Sequence, residues 1–377
     1  MRNPGRNPAA LWVAQSQKEM SDQPSENRIT DRQRAILGII VEEYVTSARP
    51  VASEQIVNSY RLNVSSATVR NDMAELERVG LIVQPHTSAG RIPTDRGYRY
   101  FVTNLMHPES LSQDEQRKIR HQFHQVELDA EEWVRLAASV LARTVHSAAV
   151  ATAPRSIDVR LKHFELLAIS ESRLLLVLVG DEGSVTQQML TVDKAADQGE
   201  LSTLAGRLNA SLAGKSGLEI GTWASKEENV KPLGELAPVV VKTLASMLQK
   251  LERPESSNVY HEGLSHILEQ PEFRQPDRMQ RVLEMFEQND VWSTLITSMA
   301  GRDGVQVIIG DETTPDGIAS CSVVLARYGL EDRMTGILGV VGPMRMPYSR
   351  SVSTVSYMSQ LLSDLLLRAY NPYRSNE

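Results

Sequence analysis

The sequence predicts a multidomain α+β chain, and three observations predict it. Residues Ser65 to Gly80 read as one short, well-delimited helix, preceded by two further helical periodicities and a tight turn. A strand, a small polar loop and a second strand follow at once. From Ala148 onward, strand-length apolar runs alternate with helical periodicities.

Composition bounds the reading. A chain of 377 residues has room for two or three domains with their own cores. Apolar content of 41% and charged content of 23% are ordinary for a globular protein. The single cysteine, Cys321, excludes an intrachain disulfide framework and a cysteine-based zinc site. It fits a reducing compartment, and a cytoplasmic, nucleoid-associated location is expected. The longest apolar run, Leu174 to Val179, has strand length, far short of the roughly 20 residues of a membrane span. Charge is uneven. Residues 28–106 hold ten arginines, no lysine and eight acidic residues, a net of +2. Residues 1–27 sum to zero, so the remainder carries −9 of a chain total of −7. A mildly basic module on an acidic body suits one domain meeting polyanion and the rest meeting protein.

Residues 1–27, with few apolar side chains, are expected to be a disordered extension. Leu11 to Ala14 is too short for the apolar core of a signal peptide. Thr30 and Gln33 form a capping box, and Leu37, Ile40, Val41 and Tyr44 then fall on one helical face that ends before Pro50. Ser53 is expected to cap a shorter helix with Ile56, Val57 and Tyr60 inward, and Arg61 to Val64 makes a tight connection. In the next helix Ser65 and Ser66 are both good N-cap residues, Val69, Met73 and Leu76 form the buried stripe, and Gly80 suits a left-handed stop. Ala67, Asn71, Ala74 and Arg78 lie opposite, flanked by Thr68, Arg70 and Glu75. Small residues let a helix backbone approach base edges; Arg suits guanine and phosphate, and Asn suits adenine.

Leu81 to Gln84 reads as a strand, His86 to Gly90 as a polar loop, and Arg91-Ile92 as the return, stopped by Pro93. Thr94 and Asp95 open a helix with Tyr98, Phe101, Val102 and Leu105 inward. Helix, short helix, turn, capped helix and hairpin is the order of a winged helix-turn-helix, with the third helix as reader. The candidate DNA contacts are Ser65, Ser66, Thr68, Arg70 and Asn71 on the reader, and His86, Thr87, Ser88 and Arg91 on the wing.

Thr30 to Met106 resembles the N-terminal domain of the HrcA family, the heat-inducible transcription repressors of bacteria. The segments that carry the resemblance are Asp31 to Gln33, Pro50 to Ser53, Ser65 to Met73, and Gln84 to Asp95. Ala52 stands where the family usually has glycine and Glu54 where it has a basic residue, which weakens the case for a phosphate contact there.

Met106 to Ser112 reads as a linker, and Ser112 with Glu115 as a capping box opening one long helix through Leu141. Ala148 to Ala153 is strand-like. Leu161–Ile169, Arg173–Val179 and Val185–Val192 read as a three-stranded meander, followed by helices at about 196–213 and 234–252. The pattern changes over Asn258 to Phe273; two helices are then expected up to about Ala300, followed by strands at Val305–Ile309, Cys321–Arg327 and Ile337–Val341, with a turn at Thr314 to Gly317. A last helix runs from Ser349 to Ala369. Antiparallel strands with a long C-terminal helix suggest a GAF-like α+β domain by analogy of fold. Leu268 to Phe273, Ile309 to Glu312, Cys321 to Val324 and Gly342 to Tyr348 again resemble the HrcA family. The resemblance implies a GAF-like domain (107–157 and 255–377) interrupted by an inserted dimerisation domain (158–254), behind a winged-helix domain (28–106) and the extension (1–27).

No phosphate-cradling glycine loop is present and no constellation supports catalysis, so an enzyme is not expected. No cofactor is expected. His121 and His124, three apart on a helix and without a third ligand, read as a solvated face rather than a metal site. Cys321 reads as a small buried hydrophobe, and Asp311 and Glu312 diverge in a strand. Gly342 to Met346 reads either as a ligand-pocket lining or as a structural turn. Two functions stay open. One is a homodimeric repressor binding double-stranded DNA; the resemblance adds the CIRCE inverted repeat ahead of chaperone operons and GroEL as the partner that maintains activity. The other is a regulator that senses a small metabolite through the GAF-like domain.

Overall fold

In a computed structural model the described residues are 29–60, 62–86, 89–126, 129–156, 158–181, 183–192, 197–252, 259–287, 292, 299, 302, 304–310, 321–330 and 333–370. The expected extension at 1–27, wing residues Thr87 and Ser88, the pair Asp311 and Glu312, the turn at Thr314 to Gly317 and most of the second helix before Ala300 lie outside them.

Contacts divide the chain into two compact units: one of residues 1–153, 256–329 and 336–377, the other of 154–255 and 330–335. The first unit opens with helices α1 (Asp31–Ser47), α2 (Ser53–Ser59) and α3 (Ser66–Arg78), hairpin strands β1 (Ile82–Val83) and β2 (Ile92–Pro93), and α4 (Asp95–Asn104). Both halves of the Thr30–Gln33 capping box are made. Ser53 does not cap α2 as expected; Ala52 occupies that position with no side-chain cap bond, and Ser53 is buried inside the first turn. Ile36, Leu37, Ile40, Ile56, Val69, Leu76 and Val102 are fully buried and make one core under the reader. Here the 3.6-residue spacing of apolar side chains turns directly into helix packing.

The expected single helix after Ser112 is two helices, α5 (Gln113–His124) and α6 (Ala130–Val145). The break has a local cause: the Asp129 carboxylate accepts from the Glu131 backbone N–H at 2.8 Å, so Asp129 starts a new helix rather than continuing the old one. Met106 to Ser112 is no free linker. Met106 and Leu111 are buried, and Ser349 receives the Glu109 N–H and donates to the His107 carbonyl.

The body of this unit is a sheet in the order β8 (Val259–Glu262), β3 (Ala148–Thr152), β11 (Met334–Pro343), β10 (Cys321–Leu330), β9 (Val305–Ile309). β3 pairs antiparallel with β8 and β11, and β10 with β9. One sheet face, with Val150, Cys321, Val323 and Leu325, packs on Phe273, Val282, Phe286 and Trp292. α6 packs on β3, and the C-terminal helix α11 (Tyr348–Tyr370) packs on α6. Burial pushes the Cys321 thiol up to about 12, so it stays protonated and behaves as a small hydrophobe.

The second unit is the meander β5 (Leu161–Ser170), β6 (Arg173–Gly180), β7 (Val185–Thr191), with α7 (Gln198–Leu212), α8 (Gly217–Ala224), α9 (Glu227–Val230) and α10 (Ala237–Glu252). β4 (Arg155–Ser156) pairs with Met334 and Thr335. The inner face, with Phe164, Leu166, Leu174, Leu176 and Leu178, packs on Leu201, Leu208, Val241, Leu244 and Leu248. The alternation of strand side chains leaves a second face carrying Leu167, Ile169, Val185 and Met189, which are exposed. The free edge of β5 is closed by two amides of α7. Asn209 bonds the N–H and C=O of Phe164 at 3.0 and 2.8 Å, and Gln198 bonds the N–H of Ala168 and the C=O of Leu166, both at 2.9 Å.

Candidate nucleic-acid interface

The reader helix is delimited by its own side chains. The Ser65 hydroxyl accepts from the Thr68 N–H at 3.2 Å and lies 3.0 Å from the Thr68 hydroxyl. At the other end Gly80 takes φ +76°, the Leu81 N–H reaches the Leu76 carbonyl at 2.9 Å and the Gly80 N–H reaches Glu77 at 2.9 Å. This double closure satisfies carbonyls that the last turn would otherwise leave open. The Thr94 hydroxyl donates to the Gly80 carbonyl at 2.7 Å, tying the end of the reader to the start of α4.

Val69, Asp72, Met73 and Leu76 are buried beneath the helix. Ser65, Ala67, Arg70, Asn71, Ala74 and Arg78 are exposed, and Ser66 and Thr68 are half-buried. The outer surface therefore presents small residues around an arginine and an asparagine, whose donors and acceptors match base edges and phosphates. Neither Arg70 nor Asn71 has a side-chain partner among the described residues. Arg78 differs: Glu75 accepts from its Nη2 at 2.6 Å and from its Nε at 2.9 Å, and this hydrogen bonding holds the Glu75 carboxyl below its ordinary range.

The wing is braced onto the reader. Ile82 pairs with Pro93 and Val83 with Ile92, and Arg91 pairs through its backbone with Val51. His86 is exposed, and its carbonyl receives the Ala89 N–H at 2.9 Å. Arg91, a candidate phosphate donor, is placed otherwise. Its side chain is 18% exposed and its guanidinium meets Glu77 of the reader at 2.9 Å. Glu77 also accepts from the Gln84 N–H at 3.0 Å, so one carboxylate joins α3 to both sides of the wing.

Two further residues escaped the sequence reading. Asp72, adjacent to Asn71, turns inward and is gripped by Arg32 of α1 at 2.6 Å. Glu77 was not singled out. The available signal was that Arg32, Asp72 and Arg91 all lie in the segments carrying the family resemblance.

Away from this surface, His121 and His124 line a cavity of about 620 Å³ with Arg117, Arg120, Phe123 and Arg368. No cluster of three or more metal-ligating side chains occurs among the described residues. Gly342 to Met346 is not part of this cavity lining; Met346 is buried and Arg345 bonds Glu272. Among the described residues no helix is long and apolar enough to cross a membrane.

Known proteins match this architecture. Residues 28–106 match the family model described as the winged helix-turn-helix transcription repressor, HrcA DNA-binding, and residues 131–352 match the HrcA protein C-terminal domain. Proteins named heat-inducible transcription repressor HrcA include one from Roseiflexus castenholzii, 44% identical over 91% of this chain and 96% of its own. Another, from Herpetosiphon aurantiacus, is 44% identical over 90% of this chain and 95% of its own. A solved structure described as a hypothetical protein shares the fold, with a TM-score of 0.52 at 24% identity over 91% of this chain and all of that one. A chain that carries both family domains and aligns along nine-tenths of its length with these relatives belongs to the HrcA family of heat-inducible, DNA-binding transcription repressors.

Proposed function

We propose that this repressor acts as a homodimer on the CIRCE inverted repeat ahead of chaperone operons. Ser65, Ser66, Thr68, Arg70 and Asn71 contact the major groove, and the wing around His86, Thr87 and Ser88 contacts the flanking backbone. The observation that carries this reading is the exposure of Arg70 and Asn71, without side-chain partners among the described residues, on a helix whose opposite side is buried. Arg91 acts here as a brace, because its guanidinium is committed to Glu77. Twofold symmetry in the protein would match twofold symmetry in the operator.

The outer face of the meander supports the dimer. It carries Leu167, Ile169, Val185 and Met189 exposed, with Leu175 and Val177 half-buried between them. Isolated apolar side chains on a surface are ordinary, but here Leu167, Leu175 and Met189 share one row and Val177 and Val179 carry the strip on to Val185, flanked by Glu165, His163 and Gln187. An apolar strip with a polar border suits a partner. Asn209 and Gln198 close the β5 edge to strand addition, and the apolar strip on the outer face favours face-to-face packing of two meanders over pairing along the β7 edge.

GroEL maintains the binding-competent form in this scheme, and heat draws the chaperonin to unfolded clients, so repression lapses. Such control needs two states of the repressor, one of them favoured by the partner. The protein works in the cytoplasm, on the nucleoid. The experiment is a nuclease footprint of the purified chain on its own upstream DNA, with and without GroEL. A protected inverted repeat that strengthens with GroEL is expected. Unprotected DNA in both conditions overturns the repressor reading, and equal protection overturns the GroEL dependence.

A further inference from the structure

The sheet body meets the winged helix through a small polar joint centred on Arg345. Its Nε and Nη2 fork onto the two carboxylate oxygens of Glu272, Nη2 also donates to the Gln270 amide oxygen at 2.7 Å, and Nη1 donates to the Val45 carbonyl at 3.2 Å. Val45 lies in the last turn of α1, where carbonyls lack helical partners and the helix presents its negative end. One side chain thus holds two residues of the body and the tail of the first DNA-binding-domain helix. Arg345 is only 12% exposed and Glu272 only 23%. A second polar contact lies along α4: Arg99 donates to the Val307 carbonyl at 2.7 Å. Gly310 allows the close approach of Asp95, because a Cβ there would lie 2.4 Å from the Asp95 carboxylate.

The same joint contains a defect. The Tyr98 hydroxyl is buried and has no hydrogen-bond partner among the described residues. Its neighbour Tyr348, 5.9 Å away ring to ring, has its own hydroxyl engaged with the Met344 carbonyl at 2.6 Å and with Ser322 at 2.7 Å. A buried hydroxyl without a partner works against the docked arrangement, and undocking returns it to water.

We propose that Arg345 is a positioning residue for operator binding: it docks the winged helix on the body in one orientation, and the orphaned Tyr98 hydroxyl keeps that joint marginal, so that warming opens it before the core unfolds. The inference rests on the repressor reading above. A dimer engages both half-sites of an inverted repeat well only if each reader is held where the other requires it. Release of the joint leaves each winged helix folded and able to bind alone, but lowers the effective concentration of the second reader.

The test uses the full chain with Arg345→Ala, Arg345→Lys and Tyr98→Phe, and two labelled duplexes, one with the whole CIRCE repeat and one with a single half-site. Arg345→Ala should weaken whole-repeat binding about tenfold while half-site binding is unchanged. Arg345→Lys should behave like Arg345→Ala, because an ammonium cannot reproduce the fork on Glu272. Tyr98→Phe should shift the loss of whole-repeat binding to higher temperature. Hydrogen exchange on the DNA-free protein gives an independent readout. In Arg345→Ala, peptides spanning Tyr44 to Ala48 and Gln270 to Arg274 should exchange faster, with β5 to β7 unaltered; in Tyr98→Phe the same peptides should exchange more slowly. Unchanged exchange in Arg345→Ala, equal loss on both duplexes, or faster exchange in Tyr98→Phe overturns the proposal. If the unsubstituted chain binds neither duplex, the repressor reading fails, while the exchange data still decide whether the joint exists.

Discussion

Asp72 points inward from the reader helix, directly beside Asn71, and Arg32 of the first helix holds both of its oxygens, Oδ2 at 2.6 Å and Oδ1 at 3.2 Å. The pair is asymmetric, with the Arg32 side chain 49% exposed and that of Asp72 only 7%. Removing Asp72 leaves a cation that water can solvate, whereas removing Arg32 strands a buried carboxylate. Arg32→Ala should therefore lower the melting temperature more than Asp72→Ala, and the double variant should resemble Asp72→Ala. The reverse order in thermal melts would show that the pair does not buttress the reader.

The outer face of the helix should separate binding from folding. Arg70→Ala and Asn71→Ala should each weaken operator binding by about 1–3 kcal/mol in gel-shift titrations, with little change in melting temperature. Met73→Ala, beneath the same turn and 3% exposed, should instead destabilise the domain by about 2–5 kcal/mol. Binding unmoved by both outer substitutions would contradict the reader assignment.

Arg91 offers a choice between two roles that salt resolves. As a brace to Glu77, its replacement by Ala should weaken binding without altering the slope of affinity against salt, and Glu77→Ala should be non-additive with it. A direct phosphate contact would instead lower that slope by roughly one. The measurement is a titration series at several ionic strengths.

Glu115 ties α5 to the C-terminal helix. Hydrogen bonding from Arg350, together with the Ser112 backbone and hydroxyl, lowers its carboxyl from the ordinary 4.5 to about 2. A depressed folded-state value stabilises the fold above the unfolded value, and that stabilisation disappears as pH falls through the folded one. Glu115→Gln should thus melt lower than the parent at neutral pH, with the gap closing between about pH 4.5 and pH 2. A gap independent of pH would assign the effect to packing.

For the meander, Leu167→Asp and Met189→Asp should convert a dimer into a monomer in sedimentation experiments and remove the concentration dependence of its melting temperature, since both side chains are exposed on the single chain and contribute to its fold only through the partner. Persistence of the dimer in both variants would move the interface elsewhere.

The linear chain was most informative where structure is local. The Ser65 cap, the Gly80 stop, the Val69–Met73–Leu76 stripe and the three meander strands depend on neighbours a few residues away, so spacing revealed them. The exposure of Arg70 and Asn71 was legible for the same reason: once the buried stripe is known, the opposite face follows. The split at Asp129 was missed because apolar spacing on both sides continues one helical pattern, and a single capping carboxylate interrupts it. What only tertiary structure decided is which charged side chains remain available to a ligand. Arg32, Arg91 and Arg345 look alike in sequence, yet folding brings each against a carboxylate 40, 14 or 73 residues away, leaving Arg70 of α3 without one among the described residues. Pairing across such distances follows from how helices and hairpins stack, and no local pattern encodes it.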